Sequence, residues 1–238
     1  MANTHRPYGP YERYFKRPLD ILCALGVLGC FWWLFAIIAI LVRIKLGSPV
    51  LFTQQRPGKD EKIFKLYKFR TMTDEKDKEG KLLPDDVRLT KFGKFLRSTS
   101  LDELPEVFNI LKGEMSVVGP RPQLVRDMVF MSQEHRKRHE VRPGLTGLAQ
   151  INGRNDIDWQ DKLDWDVKYL TQITFWGDIK IIAKTFVKSF IKPEGITEKN
   201  AATATDYGDY LLQHGKVTQA EYQQKQQTAK QLLQGASL

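Results

Sequence analysis

The chain has 238 residues, with 37 Lys and Arg residues against 28 Asp and Glu residues, and a net charge of +9. Hydrophobic residues make up 42% and charged residues 27% of the sequence, which excludes a disordered polar chain. Two cysteines exclude a disulfide-rich secreted scaffold, and the length allows one domain or two small ones.

The first predicted element is an apolar segment near the N-terminus. Residues 21–42 contain no charged side chain, and about 18 uncharged apolar residues already indicate a membrane segment. Both flanks are basic, so the preference of positive charge for the cytoplasmic side does not choose an orientation. A single span and a re-entrant path both stay open. The mid-segment Trp32 and Trp33 favour the re-entrant path, because tryptophan prefers the membrane interface.

One acidic residue lies at the boundary of this segment. Asp20 is costly at that depth unless it is paired. Lys16 and Arg17 lie within one helical turn of it, so we expect one of them to be its partner.

The rest of the chain predicts an α+β fold that is mainly helical. Residues 49–71 contain two strand-like runs around a Pro-Gly turn, which predicts a β-hairpin. Apolar spacing predicts further helices along the chain. They cover residues 89–97, 101–111, 124–140, 157–172 and 177–191, with loops at 74–86 and 142–147. Gly113 closes the second of these helices. Two helical pieces flank Gly215, and Thr218 and Glu221 match a capping box at the start of the second piece.

Two adjacent carboxylates are the sharpest local feature. Asp102 faces away from the apolar stripe of its predicted helix, alongside Glu106 and Asn109. A helix N-terminus keeps such a carboxylate ionised. A structural alternative stays open, because Ser100 and Glu103 match a capping box and Asp102 could itself be the N-cap.

Basic residues surround the acidic pair in sequence. Arg121 and Arg154 lie in tight Gly/Pro contexts that suit contact with phosphate, and we expect both to be functional. Three of the others are expected to be solvated charges: Lys62, Lys65 and Lys91. The rest stay candidates: Lys68, Arg70, Lys94, Arg97 and Arg142.

This combination suits phosphoryl transfer beside a membrane. An aspartate can attack phosphorus and form an acyl-phosphate, and a pyrophosphate substrate would bring Mg²⁺ to Asp102 or Glu103. The histidines do not have zinc-site spacing, and His135 and His139 are expected at the surface. A non-catalytic module that binds anionic lipid through its basic face stays open. Nucleic acid is not an expected partner, because no docking motif is present.

Seven ordered motifs resemble those of one family. The chain is similar over roughly residues 11–192 to the bacterial sugar transferase family, the small monotopic phosphoglycosyl transferases. The motifs are KRPLD at 16–20, FTQQRPG at 52–58, YKFRTM at 67–72, SLDELP at 100–105, NILKGEMS at 109–116, VGPRP at 118–122 and RPGLTGLAQINGR at 142–154.

The resemblance implies an enzyme of the bacterial inner membrane with its catalytic domain on the cytoplasmic face. It implies transfer of a sugar-1-phosphate from a UDP-sugar to a polyprenyl phosphate, release of UMP, and a place at the first membrane step of surface polysaccharide or glycoconjugate synthesis. It implies that Asp102 is the nucleophile and Glu103 its partner, with Mg²⁺ at both. Five further residues match substrate-binding positions: Lys68, Arg97, Arg121, Arg154 and Asp166.

The sequence departs from the family pattern in the membrane helix. The family usually has a proline in mid-helix, where it breaks the helix and turns it back. Here Trp32 and Trp33 occupy that place, and no proline lies between Pro18 and Pro49.

Three units follow from these readings. They are a membrane unit at 1–48, a catalytic domain at 49–192, and a linker with a C-terminal helical hairpin at 193–238. The hairpin resembles a short SHOCT-type module, and a plain amphipathic tail is the alternative. A role for it in homo-oligomerisation or docking is a hypothesis.

Overall fold

The computed structural model describes residues 5–153, 158–188 and 205–236. Within this part of the chain the fold is α+β and mainly helical, as predicted, with two small two-stranded sheets. Arg154 and most of the predicted linker lie outside the described residues.

The elements follow in chain order. The helices are α1 (Lys16–Leu46), α2 (Asp85–Arg88), α3 (Lys91–Ser98), α4 (Glu106–Lys112), α5 (Val125–Met128), α6 (Gln133–Arg136), α7 (Leu148–Ile151), α8 (Trp159–Thr171), α9 (Phe175–Phe186), α10 (Tyr207–Gln213) and α11 (Gln219–Gly235). The strands are β1 (Leu51–Pro57), β2 (Ile63–Phe69), β3 (Ser116–Val118) and β4 (Gly144–Thr146).

Helix α1 is unbroken and packs on the rest of the fold along one stripe. Together with a preceding turn it forms a helix of 36 residues, Tyr11–Leu46, which is long and apolar enough to cross a membrane. Ala24 lies in a buried cluster with residues of β2 and α4, while Val42 lies in a second cluster with Phe69 and Leu96. The opposite side of α1 exposes large apolar side chains: Leu22, Leu25, Phe31, Trp32, Trp33, Ile37, Ile40 and Ile44.

The expected pairing of Asp20 is wrong. Its Oδ1 accepts hydrogen bonds from Ser116 Oγ at 3.0 Å and from the amide of Val117 at 2.9 Å. Arg17 instead donates to two carbonyls at the C-terminus of α4, and Lys16 pairs with Asp178. Both basic residues therefore tie α1 to the body of the protein.

The predicted β-hairpin is present. β1 pairs antiparallel with β2 from Leu51 opposite Phe69 to Pro57 opposite Ile63. This register fixes the position of Lys68, which lies near the end of β2.

A second, parallel sheet joins β3 to β4, where the sequence predicted a loop at 142–147. Ser116 lies opposite Gly144, and Val118 lies opposite Thr146. The two backbones approach so closely that a Cβ on Gly144 would lie 2.1 Å from the amide nitrogen of Gly119. Glycine is therefore required here. The pairing of β3 with β4 fixes the end of β3, from which the loop of Arg121 starts.

Residues 124–140 form two short helices and a 3-10 turn in place of one long helix. α5 ends at Met128, and α6 begins after Ser132, whose hydroxyl accepts the amide of His135. This N-cap starts a new helix, and Phe130 and Met131 between the two helices are buried in the core.

The C-terminal hairpin is present and packs on the same chain. α11 starts with the predicted capping box of Thr218 and Glu221. Ala229 of α11 is buried against Val125 and Met128 of α5.

Candidate active site

Asp102 and Glu103 lie in a short 3-10 turn, Leu101–Glu103, between α3 and α4. Ser100 adopts a left-handed conformation with φ 56° and makes no side-chain cap hydrogen bond. Helix α4 begins only at Glu106, after Pro105. The capping-box interpretation is therefore wrong, and both carboxylates are available for another role.

Glu103 is held by two cations. Its Oε1 accepts a hydrogen bond from Lys68 Nζ at 2.7 Å and another from Arg121 Nη2 at 2.5 Å. Burial opposes ionisation, but the charges of Arg121 and Lys68 outweigh it and hold the pKa of Glu103 well below its usual range. Glu103 is thus a fixed anion that joins β2 to the loop after β3.

Asp102 has a different environment. Its side chain is buried, and burial and neighbouring charges act on its carboxylate without a hydrogen bond from any described residue. Burial and the negative charge of Glu103 raise its pKa to about 6, against the opposing charges of Lys68, Arg97 and Arg121. Two adjacent carboxylates therefore differ, because one is neutralised by cations and the other has free oxygen atoms. Divergent environments of this kind are typical of functional carboxylate pairs.

Arg97 is a further cation whose charge acts on the pair of Asp102 and Glu103, which we call the dyad. It is on α3, and its Nε donates to Thr71 Oγ1 at 3.0 Å. Its charge acts on Asp102. The structure thus brings together four of the residues that the resemblance implied besides Asp102: Glu103, Lys68, Arg97 and Arg121.

Glu106 is a third carboxylate of the site. It is 2% exposed, and its Oε1 lies 3.3 Å from Lys68 Nζ, so Lys68 bridges Glu103 and Glu106. Burial and the neighbouring Glu103 raise the pKa of Glu106 to about 7. The sequence placed Glu106 on the face of Asp102, but nothing in it indicated a contact with Lys68 on a distant strand.

Asp166 acts on the site through an arginine that the sequence analysis missed. Arg138 is almost fully buried and donates to Asp166 Oδ2 from Nε at 3.0 Å and from Nη2 at 2.7 Å. The same Nη2 donates to the backbone carbonyl of Arg121 at 2.5 Å. Asp166 therefore supports the loop of Arg121 indirectly, through Arg138. Its substrate-binding role stays a prediction.

His135 and His139 are buried, so the expectation that they are surface residues is wrong. His135 Nε2 lies 2.9 Å from Asp164 Oδ1, and His139 Nδ1 lies 3.7 Å from Glu61 Oε1. These contacts connect residues 133–140 with α8 and with the turn between β1 and β2, which contains Glu61. The basic residues around them indicated exposure, but the tertiary packing buries both histidines.

The dyad fits a magnesium ion by its donor chemistry. Mg²⁺ is usually bound by one or two carboxylates together with substrate phosphates and water. Asp102 offers a carboxylate without a described partner, and Glu103 keeps Oε2 while its Oε1 takes both cations. Among the described residues, no group of three or more His, Cys, Asp or Glu forms an all-protein metal site.

The sequence profile described as "Bacterial sugar transferase" matches residues 11–192. This chain belongs to that family. The protein is therefore a transferase and not a non-catalytic lipid-binding module. The match includes α1 and the whole dyad region, and it ends before α10.

Several curated proteins are similar to this sugar transferase. This chain is 49% identical over 189 residues to the uncharacterized sugar transferase EpsL of Bacillus subtilis. The aligned region covers 79% of this chain and 93% of that protein. It is 43% identical over 195 residues to the UDP-glucose:undecaprenyl-phosphate glucose-1-phosphate transferase of Klebsiella pneumoniae, over 78% of this chain and 42% of that one. It is 37% identical over 199 residues to the undecaprenyl-phosphate galactose phosphotransferase of Salmonella typhimurium, over 73% of this chain and 40% of that one. This chain thus spans less than half of the latter two relatives.

Proposed function

We propose that this sugar transferase moves a sugar-1-phosphate from a UDP-sugar to undecaprenyl phosphate at the cytoplasmic face of the bacterial inner membrane and releases UMP. The observation that supports this most directly is the contrast within the dyad. The buried Asp102 carboxylate has no hydrogen-bond donor among the described residues, whereas Glu103 beside it is bound by Lys68 and Arg121. The relatives from Klebsiella and Salmonella are named for the same acceptor, undecaprenyl phosphate.

The first step is attack of an Asp102 carboxylate oxygen on the sugar-bearing phosphorus of the donor. A bond forms between this oxygen and the phosphorus, and the bond from the phosphorus to the bridging oxygen breaks. UMP leaves with the electron pair of that bond. Arg121, whose side chain is 39% exposed, and Lys68 supply positive charge near the phosphates.

The second step regenerates the enzyme. A phosphate oxygen of undecaprenyl phosphate attacks the same phosphorus, and the acyl-phosphate bond to Asp102 breaks. The products are a polyprenyl diphosphate sugar and the free carboxylate. This order predicts ping-pong kinetics, because UMP leaves before the acceptor reacts.

Asp102 and Glu103 are the residues that would hold Mg²⁺. A bound Mg²⁺ would neutralise negative charge on the pyrophosphate of the donor. The cations of this chain would orient the donor at the two carboxylates, with Lys68 and Arg121 bound to Glu103 and the charge of Arg97 acting on Asp102.

The apolar surface supports the membrane location. Besides the outer side of α1, helix α9 exposes large apolar residues next to lysines, a pattern typical of helices that lie at a membrane surface. The N-terminus of α9 lies beside that of α1, since Tyr11 and Lys16 both contact Asp178. The exposed side chains of α9 are Phe175, Trp176, Ile179, Ile182 and Phe186.

The test is to trap the covalent intermediate. We expect the wild-type protein, incubated with a panel of UDP-sugars and no acceptor, to gain the mass of one hexose-phosphate on Asp102 and to release an equal amount of UMP. We expect Asp102→Asn to form no adduct and to lose at least about 10³-fold of its transfer activity, because the attacking oxygen is lost. The sugar that gives the adduct identifies the donor.

Asp161→Asn is the matched control, since Asp161 is exposed on α8 and lies 59 positions from Asp102 in the sequence. Thermal unfolding separates catalysis from folding. Because burial raises the pKa of Asp102, its ionised form costs folding free energy at neutral pH, and Asp102→Asn is expected to be at least as stable as wild type. An adduct at another residue, or near wild-type transfer by Asp102→Asn, would show that the proposed nucleophile is wrong.

A further inference from the structure

The C-terminal hairpin of α10 and α11 lies outside the region that matches the family, yet it packs next to the site. The match ends at residue 192, and the hairpin covers residues 207–235. Its main neighbour is the segment 124–130, which contains α5. This segment begins three residues after Arg121.

Polar contacts join the start of the hairpin to this segment. Asp127 uses both carboxylate oxygens: Oδ1 accepts the amide of Tyr207 at 2.9 Å, and Oδ2 accepts the amide of Leu124 at 3.1 Å. Arg126 forms an ion pair with Asp206 at 2.6 Å. One buried carboxylate thus joins the first turn of α10 to the residue at which the Arg121 loop ends.

Apolar contacts join the same two parts. Phe130 packs in a cluster with Tyr207, Leu211 and the ring of Tyr222, whose centroid lies 5.7 Å from that of Phe130. α10 approaches Phe130 so closely that a Cβ on Gly208 would lie 2.6 Å from its Cε2 atom. Such a contact leaves no room for a side chain at position 208.

The Arg121 loop is held on its other side by the catalytic body. Arg138 donates to the carbonyl of Arg121 at 2.5 Å, and Arg56 donates to the carbonyl of Pro122 at 3.1 Å. The loop is therefore fixed in its middle by these two arginines and at its end by the hairpin through Leu124. Without the hairpin, Asp127 and α5 would lose their contacts on that side.

We propose that the C-terminal hairpin is a clamp that positions the loop of Arg121 for binding of the donor phosphates. This inference rests on the proposed function, because it takes Arg121 as a donor contact. The hairpin residues themselves are positioning residues and do not touch substrate. A misplaced phosphate-binding group weakens substrate binding and orientation, so undocking of the hairpin raises the KM for the donor more than it lowers kcat.

The experiment undocks the hairpin in the full-length chain. Gly208→Ala adds a methyl group that collides with Phe130, and since alanine favours helix over glycine, α10 itself is not weakened. Ala229→Leu acts through the second helix of the hairpin, because a larger side chain on α11 overpacks its contact with α5. The matched control is Gly235→Ala, because a Cβ at that position meets nothing within 4 Å.

Two readouts are needed. Hydrogen exchange is measured by mass spectrometry for peptides covering residues 123–130, and we expect exchange to accelerate at least about tenfold in both undocking variants and not in Gly235→Ala. Donor KM and kcat are measured with UDP-sugar and undecaprenyl phosphate, and we expect KM to rise about tenfold. In an Arg121→Lys background the same undocking changes are expected to have little further effect on KM, because coupled residues are not additive.

The outcomes separate the two proposals. Unchanged exchange at 123–130, or an equal rise in KM with and without Arg121, would overturn the clamp. If the wild-type protein forms neither an adduct nor UMP from any UDP-sugar, the proposed function fails, and the hydrogen exchange alone decides whether the hairpin fixes the loop.

Discussion

At the scale of single residues, the dyad assigns different electrostatic roles to two neighbouring carboxylates. Glu103 is neutralised by Lys68 and Arg121 through one oxygen, whereas Asp102 is buried with no hydrogen-bond donor among the described residues. Burial of an ionised carboxylate is a cost to stability. A nucleophile benefits from the same condition, because its lone pairs are free to attack.

The pKa of Asp102 leads to a prediction for the pH dependence of the first step. Attack requires the ionised carboxylate, and burial together with Glu103 raises the pKa of Asp102 to about 6. The rate of adduct formation is therefore expected to be constant above about pH 7 and to fall by about tenfold per pH unit well below pH 6. Rapid quench with donor alone measures this step without the acceptor, whose phosphate also titrates.

Glu103→Gln tests the cause of the raised pKa. Removing the neighbouring negative charge favours ionisation of Asp102. The acid limb, the fall in the rate of adduct formation at low pH, is therefore expected to move to lower pH, even though the rate itself is lower. An acid limb that stays in place in this variant, or one that is absent from wild type down to pH 5, would contradict the assignment.

At the scale of secondary-structure elements, one buried amide joins the helix after the dyad to the strand that contains Lys68. Asn109 is fully buried on α4. Its Nδ2 donates to the carbonyl of Lys65 and to Glu114 Oε2, each at 2.7 Å, and its Oδ1 accepts the amide of Tyr67 at 3.1 Å. Both the donor and the acceptor ends of this side chain are thus used, and they hold α4 against the edge of β2.

Asn109→Asp is expected to separate α4 from β2. The change replaces the donating amide by an oxygen that faces two acceptors, which is expected to cost on the order of 3 kcal/mol of unfolding free energy. Transfer activity is expected to fall as well, because the position of Lys68 relative to Glu103 depends on this contact. Thermal unfolding in detergent and the transfer assay measure the two effects.

Asn152→Asp is the matched control for this change. Asn152 is partly exposed, and among the described residues its side chain donates to the carbonyl of Leu148, within the same turn. A similar loss of stability in both variants would show that the bridge between α4 and β2 has no special role.

At the scale of the whole molecule, α1 is bound to the catalytic body at both ends. Asp20 contacts β3 near the N-terminus of α1, and Leu46 is buried in the cluster of Phe69 and Leu96 near its C-terminus. These two residues are about 39 Å apart along the helix at a rise of about 1.5 Å per residue, which exceeds the hydrocarbon thickness of about 30 Å. A helix held along its length by a polar domain cannot place its ends on opposite sides of a bilayer, so we expect α1 to lie in one leaflet.

This topology predicts that both ends of α1 face the same side of the membrane. In a Cys23→Ser, Cys30→Ser background, Arg13→Cys and Arg43→Cys are each expected to react with a membrane-impermeant maleimide in inverted vesicles and not in right-side-out ones. Gln224→Cys in the exposed face of α11 is the reference for the side of the catalytic domain. Labelling of the two ends from opposite sides would establish a spanning helix.

The sequence by itself determined the features that depend on local patterns. The uncharged run 21–42, the hairpin around the Pro-Gly turn, the helix closed by Gly113 and the capping box at Thr218 are all present in the structure. The ordered motifs also indicated the family, which the comparisons confirm. Each of these signals is contained in neighbouring residues, so it can be interpreted without knowledge of the fold.

Only the tertiary structure decided which charges meet. The partners of Glu103 come from residues 35 and 18 positions away, and Arg138 reaches the Arg121 carbonyl across 17 positions. The burial of His135 and His139, the contacts of Asp20 with β3 and the docking of the C-terminal hairpin on α5 have the same origin. A charged side chain has no periodic signal for its partner, because the partner is selected by the packing of distant elements and by the cost of leaving a buried charge unpaired.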